Sequence, residues 1–195
     1  MRDFLFIRHA KTAGNLERRY IGRTDEPLCG LGVQEAEALL ASGQLPPIED
    51  LEELYSGPLL RCRQTAEILF PQIEPVTCRL QEIDFGIFEG KTANELSDNL
   101  DYQQWLDTNC MGDISGGDSV MAFKQRCSEE FEQIAKASSA SLTALVIHGG
   151  NIMAILEAFA EPQRDFYDYH VPNCGFILCS WENQKLSIKQ QGISQ

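Results

Sequence analysis

Two of the three histidines in this chain directly follow short apolar runs, at positions where catalytic chemistry could occur. Phe4–Ile7 leads through Arg8 to His9, and Leu142–Ile147 leads to His148. Because ligands bind at the carboxyl ends of strands in an open α/β sheet, the two imidazoles are predicted to share one site. A neutral imidazole can attack phosphorus and become a phosphohistidine, so phosphoryl transfer is one chemistry that this pair could perform.

Arginines accompany the first histidine and a further strand end. Arg8 precedes His9, and its guanidinium group matches phosphate oxygens while favouring the neutral, nucleophilic imidazole. Arg61 lies in the first turn of a predicted helix, where the helix N-terminus also favours a bound phosphate. Arg63 is the competing candidate, and the alternative for both is an arginine on the surface of an amphipathic helix.

Three carboxyl groups, from Glu82, Asp84 and Glu89, lie in a segment rich in aromatic residues and glycine. Transfer of a phosphoryl group to histidine requires a proton for the leaving alkoxide, so a carboxyl group with a raised pKa is expected. All three acids are chemically suitable, and composition alone does not choose among them.

Glycines follow the second histidine. Gly149 and Gly150 allow the main chain to approach a ligand, and their N–H groups open a predicted helix. His148 could donate to a phosphoryl oxygen and stabilise developing charge. His170 precedes Val171 and a proline, and it is predicted to be a loop residue rather than a substrate contact.

The overall charge narrows the class of partner. The chain has 195 residues and a formal net charge of −13, which argues against nucleic acid and anionic membranes because both require a basic face. Five cations nevertheless cluster near the first histidine, which predicts a local positive funnel for a small anionic phosphomonoester. They are Arg8, Lys11, Arg18, Arg19 and Arg23.

Seven cysteines are present, and their spacing includes no CxxC pair. The odd number and the absence of a leader-like segment predict free thiols and a cytoplasmic location. No apolar run approaches the length of a membrane-spanning helix, and no cysteine–histidine spacing is typical of zinc. We therefore expect neither a metal nor another cofactor.

Strands alternate with helical patterns, which predicts an α/β fold with a mostly parallel sheet and helices on both of its faces. The predicted strands are 3–7, 51–56, 75–80 and 142–147, followed by a hairpin of 175–181 and 185–190. The predicted helices are 33–41, 58–70, one or two within 91–107, one capped by Asp118 or Ser119 and ending near 137, and 150–160. A single domain, 1–195, is expected, with a polar helical insertion at about 91–117.

Five motifs in order resemble those of the histidine phosphatase superfamily, whose fold is the phosphoglycerate-mutase-like αβα sandwich of three layers. The first is Arg8-His9 with Thr12 and Asn15, which leads into a loop containing Gly22, Asp25, Pro27, Leu28 and Gly32. The others are 56–66, Glu82 with Phe85-Gly86 and Glu89-Gly90, Gly116–Ser119, and 146–150. Three positions depart from the family pattern: Ala10 replaces a glycine, Lys11 adds a cation, and Asp118 replaces a glutamate.

The resemblance implies a role for each motif residue. His9 would be the nucleophile, Glu82 the proton donor, and Arg8, Arg61 and His148 the phosphate pocket. Asn15 and the Gly149 amide would add phosphate contacts, and the possible substrate contacts are Thr12, Gly22, Arg23 and Asp118. The motif containing Arg61 favours it over Arg63.

Within the superfamily, a short insertion favours water as the acceptor, because cofactor-dependent mutases carry a longer one. The length and the 84–90 segment are most similar to those of α-ribazole-5′-phosphate phosphatases of cobalamin nucleotide-loop assembly. The alternative is a broad-specificity phosphatase of small phosphomonoesters such as sugar phosphates or phosphoglycerate. A non-catalytic binding module and a protein-phosphohistidine phosphatase are further alternatives. Residues 91–137 count against the last of these.

Overall fold

A computed structural model describes residues 2–46 and 50–192, and its centre is a six-stranded sheet. The strands are β1 Arg2–Arg8, β2 Leu51–Ser56, β3 Val76–Thr77, β4 Leu142–Ile147, β5 Phe176–Glu182 and β6 Lys185–Gly192. Their order across the sheet is β3-β2-β4-β1-β5-β6. The first four strands pair in parallel, and β5 and β6 pair antiparallel as the predicted terminal hairpin.

Helices cover both faces of the sheet, which confirms the predicted three-layer αβα architecture. They are α1 Ala13–Leu16, α2 Gly30–Ala41, α3 Leu60–Leu69, α4 Leu100–Asp107, α5 Val120–Ala137 and α6 Gly149–Phe159. Helices α2 and α3 pack on one face, whereas α5 and α6 pack on the other. Short 3₁₀ helices lie at Gly86–Phe88 and Phe166–Tyr169.

Alternate residues of β1 pack into two separate hydrophobic cores, one on each face of the sheet. Phe4 and Phe6 pack with the α5–α6 layer, whereas Leu5 and Ile7 pack with the α2–α3 layer, because successive strand residues face opposite sides. All six residues of β4 are buried, as expected of a central parallel strand. The strands that end at the two histidines are therefore adjacent and held from both faces.

Several predicted boundaries differ from the structure. Helix α2 begins at Gly30 rather than residue 33, because Cys29 Sγ accepts from Gly32 N and caps the earlier turn. Helix α3 begins at Leu60, two residues after the predicted start at Pro58. The predicted strand 75–80 is only the two-residue β3, and the insertion contains the single α-helix α4. Residues 47–49 and both ends of the predicted 1–195 domain lie outside the described residues, and that extent stays a prediction.

Candidate functional site

His9 follows the last residue of β1, and its side chain is only 4% exposed. Its Nδ1 lies 2.8 Å from Ala10 O, so the ring proton is on Nδ1 and Nε2 keeps its lone pair. Arg61 Nε donates to that Nε2 over 3.3 Å. The His9 and His148 ring centroids are 5.1 Å apart, so the two strand ends do bring both imidazoles to one place.

Both imidazoles are held neutral. The pKa of His9 lies well below its ordinary value, mainly through burial, with further lowering by the charges of Arg61 and Arg8. Burial also lowers the pKa of His148, again followed by Arg61. A neutral His9 with an unprotonated Nε2 is the form of imidazole that attacks phosphorus.

Two guanidinium groups converge on this site. Arg8 Nη1 donates to Val171 O over 2.8 Å, while its buried Nε has no partner among the described residues. A Cβ built on Gly149 would be 3.2 Å from that Nε, so the start of α6 lies directly against it. Arg61 is 1% exposed, whereas Arg63 is exposed, which places Arg61 and not Arg63 at the site.

Of the three candidate acids, Glu82 is the one that lines the same cavity as Arg8. Its carboxylate accepts from Ile83 N over 3.0 Å and from Gly150 N over 3.2 Å. Burial raises the pKa of Glu82, although these amide hydrogen bonds and the two arginines work in the opposite direction. A carboxyl group with a raised pKa beside a neutral imidazole can deliver a proton to a leaving group.

The other two acids have internal partners. Asp84 Oδ1 accepts from Gly86 N over 2.9 Å, and Oδ2 pairs with Arg23. Glu89 Oε1 accepts from the main-chain amides of residues 22 and 24, at 2.8 and 2.9 Å. These carboxylates stabilise the loops around the site, so the structure separates three acids that composition leaves equivalent.

The shifts of His9 and Glu82 predict the pH dependence of activity. In water the imidazole is mainly neutral above pH 6.5 and the carboxyl mainly protonated below pH 4.5, so few molecules would carry both reactive forms at once. Burial lowers the pKa of His9 and raises that of Glu82, and both shifts increase the fraction that carries the two forms together. We expect kcat/KM to fall as pH rises through the raised pKa of Glu82, measured as a pH–rate profile with a phosphomonoester.

The variant Glu82→Gln tests whether Glu82 causes the alkaline fall in that pH–rate profile. It should lower kcat by about 10²-fold or more and remove the alkaline fall while the acid limb remains. An unchanged alkaline limb in this variant would assign the titration to another group.

A cavity of about 400 Å³ opens beside Arg8, Glu82 and Gly149. Its walls are mainly aromatic and apolar: Tyr20, Ile21, Phe85, Trp105, Val120, Phe123, Met153, Phe166 and Tyr167. His170 also lines this cavity, so the residue predicted to be a loop position without substrate contact reaches the candidate substrate space. A flat, mostly apolar group attached to the phosphate would fit these walls.

The walls of this cavity supply few cations. No lysine or arginine occurs between residues 92 and 123, the stretch that contains α4 and the start of α5. Arg19 lines the cavity but pairs with Glu17 and Glu95. A leaving group that carries its own carboxylate or second phosphate would therefore find little charge compensation here.

The prediction that the five cations near His9 form a positive funnel is wrong for most of them, because they pair with acidic residues. Lys11 pairs with Glu35 on α2, and Arg23 pairs with Asp84 and Asp118. Arg8 is the member of the group that lies against the start of α6 at the candidate site, and its Nε has no partner among the described residues. Each of the other pairs is partly exposed, and such pairs are screened by solvent.

Of the other residues predicted to contact phosphate or substrate, some line the cavity and some bond only to neighbouring loops. Asn15 lines the cavity. Thr12 is fully buried, and its hydroxyl accepts from Asn15 N at the start of α1. Asp118 accepts from Asp84 N over 3.0 Å and pairs with Arg126. Thr12 and Asp118 thus hold loops in place.

Ala10, which replaces the glycine of the family pattern, does not have a positive φ, so it fits its position without strain.

Gly22 acts through its backbone. Gly22 O accepts from Arg61 Nη2 over 2.7 Å, and a Cβ built on Gly22 would overlap the carbonyl oxygen of Ile83. Gly22→Ala should therefore lower the free energy of unfolding by about 1–3 kcal/mol and reduce activity by shifting the carbonyl that holds Arg61.

Denaturant unfolding and steady-state kinetics measure both effects. Gly30→Ala is the control, because a Cβ there meets nothing within 4 Å at the start of α2, and it should be neutral or slightly stabilising. Equal stability of Gly22→Ala and the wild type would contradict the close approach of the two loops.

Sequence reasoning missed the segment 171–174 and the aromatic cavity walls. Val171 O holds Arg8, and Asn173 Nδ2 donates to His9 O over 3.0 Å. The signal that could have found this segment is Pro172-Asn173 just before a predicted strand, since polar residues at strand ends are candidates for a site. The cavity walls come from several separate segments and carry no local pattern.

Some candidate features are absent from the described residues. No helix there combines the length and hydropathy needed to cross a bilayer. Over the same ranges, no group of three or more His, Cys, Asp or Glu side chains is arranged to hold a metal ion.

Comparisons with known proteins bear on this geometry. A model of the histidine phosphatase superfamily (branch 1) matches residues 4–194. Probable phosphoglycerate mutase GpmB of Salmonella choleraesuis (strain SC-B67) is 27% identical over an alignment of 157 residues, and the match covers 76% of this chain and 70% of that protein.

Solved structures share the fold. A putative alpha-ribazole-5′-P phosphatase from Escherichia coli K-12 superposes with a TM-score of 0.86 at 17% identity, covering 99% of this chain and 97% of that one. A phosphoglycerate mutase from Thermus thermophilus gives 0.73 at 28% identity, covering 97% of each chain.

Proposed function

This chain belongs to the histidine phosphatase superfamily, branch 1, a group of phosphatases and mutases, and from that premise we propose a phosphomonoesterase. In the first step His9 Nε2 attacks phosphorus and the bond from phosphorus to the ester oxygen breaks. Glu82 gives its proton to that oxygen, and the alcohol leaves. Arg8, Arg61 and His148 hold the three remaining phosphoryl oxygens, with Asn15 and the Gly149 amide as further donors.

In the second step, water replaces the departed alcohol. The Glu82 carboxylate takes a proton from that water as its oxygen bonds to phosphorus, and the bond from phosphorus to Nε2 breaks. Inorganic phosphate leaves, Glu82 is protonated again, and His9 returns to its neutral form. The same residue is thus acid in one step and base in the other, as microscopic reversibility suggests for a symmetrical displacement.

The acceptor distinguishes a phosphatase from a mutase. A phosphoglycerate mutase must hold a substrate carboxylate as well as the phosphoryl group. Residues 92–123 contain no lysine or arginine, and Arg19 at the cavity wall pairs with Glu17 and Glu95. Among the described residues, the cavity therefore offers that carboxylate no unpaired lysine or arginine beyond Arg8, which is assigned to the phosphoryl group. This composition supports water as the acceptor and an uncharged leaving group.

For the substrate we propose α-ribazole 5′-phosphate, hydrolysed to α-ribazole in cobalamin nucleotide-loop assembly. The observation that carries this proposal is the aromatic wall of the cavity next to Arg8 and Glu82, because α-ribazole joins a flat benzimidazole to an uncharged ribose. Two solved structures, a putative alpha-ribazole-5′-P phosphatase and an alpha-ribazole phosphatase at 17% and 18% identity, add support through fold alone. The alternative is a phosphatase of broad specificity.

A panel of phosphomonoesters tests the proposal. We expect kcat/KM for α-ribazole 5′-phosphate to exceed those for p-nitrophenyl phosphate, a sugar phosphate and 3-phosphoglycerate by about 10²-fold or more. Similar values across the panel would replace the specific proposal with the broad one. Isomerised phosphoglycerate without phosphate release would indicate a mutase, and binding without turnover would indicate a non-catalytic module.

The proposed partner is a small phosphomonoester, with neither nucleic acid nor a membrane involved. The net charge of −13 disfavours both polyanionic partners. We also propose a cytoplasmic location. All seven cysteines are free thiols, which fits a reducing compartment.

A further inference from the structure

The segment Val171–Gly175, just before β5, packs over the end of β1. Arg8 Nη1 donates to Val171 O over 2.8 Å, and Asn173 Nδ2 donates to His9 O over 3.0 Å. The segment therefore contacts the main chain of the proposed nucleophile and the side chain of a proposed phosphate ligand. None of its side chains has a role in the two chemical steps above.

Asn173 also contacts a third residue of the site. Its Nδ2 donates to Asn15 Oδ1 over 3.2 Å, and Thr12 N donates to the same oxygen over 3.2 Å. A main-chain N–H only donates and a carbonyl oxygen only accepts, so Thr12 N and His9 O together fix the orientation of both amide groups. The oxygen of Asn15 must face the two donors.

The opposite end of the Asn15 amide is then left for a ligand. Within residues 2–46 and 50–192, Asn15 Nδ2 has no protein hydrogen-bond partner, and Asn15 lines the cavity beside Arg8. A phosphoryl oxygen is an acceptor, so this orientation presents the correct group to it. An amide rotated by half a turn would present its oxygen to the phosphate and repel it.

We propose that Asn173 is a positioning residue, which aims the Asn15 Nδ2–H group at the substrate phosphoryl group and fixes the main chain of His9. The inference rests on the proposed function, because it requires a phosphoryl group in the pocket. Asn173→Asp is the stringent test, since a carboxylate offers acceptors to Asn15 Oδ1 and His9 O. Asn173→Ala is milder, because Thr12 N still holds the Asn15 oxygen.

The experiment measures binding of inorganic phosphate by calorimetry, independently of turnover. We expect Asn173→Asp to weaken phosphate binding by about tenfold or more, as loss of a hydrogen bond to a charged ligand does. In an Asn15→Ala background the same change should weaken binding by a clearly smaller factor, about threefold or less, because only the part of its effect that passes through His9 O remains. Asn183→Asp, in the β5–β6 turn at the opposite end of β5, is the charge-matched control and should bind phosphate like the wild type.

Each other outcome overturns the inference. If the losses of phosphate affinity caused by Asn173→Asp and Asn15→Ala add fully in the double variant, Asn173→Asp acts through a general charge or packing effect. If Asn173→Asp leaves the phosphate affinity unchanged, Asn173 has no effect on the pocket. If Asn173→Asp does not fold, Asn173→Ala must weaken phosphate binding and lose that effect in the Asn15→Ala background. A wild-type protein that hydrolyses p-nitrophenyl phosphate while Asn173→Asp binds phosphate normally refutes the positioning role alone. A wild-type protein that neither binds phosphate nor hydrolyses the ester refutes the proposed function as well.

Discussion

His9→Ala is expected to lower kcat by about 10⁴-fold or more, with the fold retained. The reason is that, among the described residues, His9 is the imidazole whose unprotonated Nε2 faces the Arg61 guanidinium: the Nε2 of His148 lies 3.4 Å from the buried Cys62 Sγ, and His170 lies at the cavity wall. The remaining arginines still bind and polarise the phosphate, so residual activity reflects electrostatic stabilisation alone. Steady-state kinetics and a thermal melt of the variant measure the two quantities.

The same variant should abolish the covalent intermediate. Rapid acid-free quenching of the wild type with a labelled phosphomonoester should leave one phosphoryl group on His9, located by peptide mass spectrometry. His170→Ala is the control, because it removes the third imidazole at the cavity wall and should leave phosphoenzyme formation in place. Label on His9→Ala protein, or turnover at the wild-type rate, would assign the nucleophile to a different residue.

The parts of this site that the sequence predicts are those where secondary structure itself places the residue. His9 and His148 end apolar runs, and adjacent parallel strands necessarily end at the same edge of a sheet. Arg61 follows β2 in the same way, in the first turn of α3. Their convergence therefore requires no knowledge of loop conformation, and the structure confirms it.

The roles of the charged residues in loops could not be predicted from the local sequence pattern. Glu82, Asp84 and Glu89 share one irregular segment, and only the groups that they meet, mostly on segments distant in sequence, separate their roles. The cation cluster of residues 8–23 failed for the same reason, because the acids that pair with Lys11 and Arg23 come from elsewhere in the chain. Tertiary partners decide whether a loop charge is available to a ligand.

Arg61→Met is expected to lower kcat/KM by about 10³-fold, because it removes both a phosphate donor and the group that faces His9 Nε2. Arg61 donates to Gly22 O over 2.7 Å and to Thr24 O over 2.8 Å, so its guanidinium is fixed before substrate arrives. Methionine fills similar space without charge or donors. A thermal melt is needed beside the kinetics, since the two carbonyl groups lose their partner.

The variant also has a signature in pH that a loss of packing would not produce. After burial, the charge of Arg61 is the largest cause that lowers the pKa of His9, so its removal raises that pKa. His9 is then protonated at higher pH, and the acid limb of kcat/KM should move to higher pH. Arg61→Lys keeps the charge, so it should retain the wild-type acid limb while kcat/KM stays low, because an ammonium group cannot replace the planar fork. Arg63→Met, on the exposed face of α3, should match the wild type in both respects, and an unshifted acid limb in Arg61→Met would show that Arg61 does not control the protonation of His9.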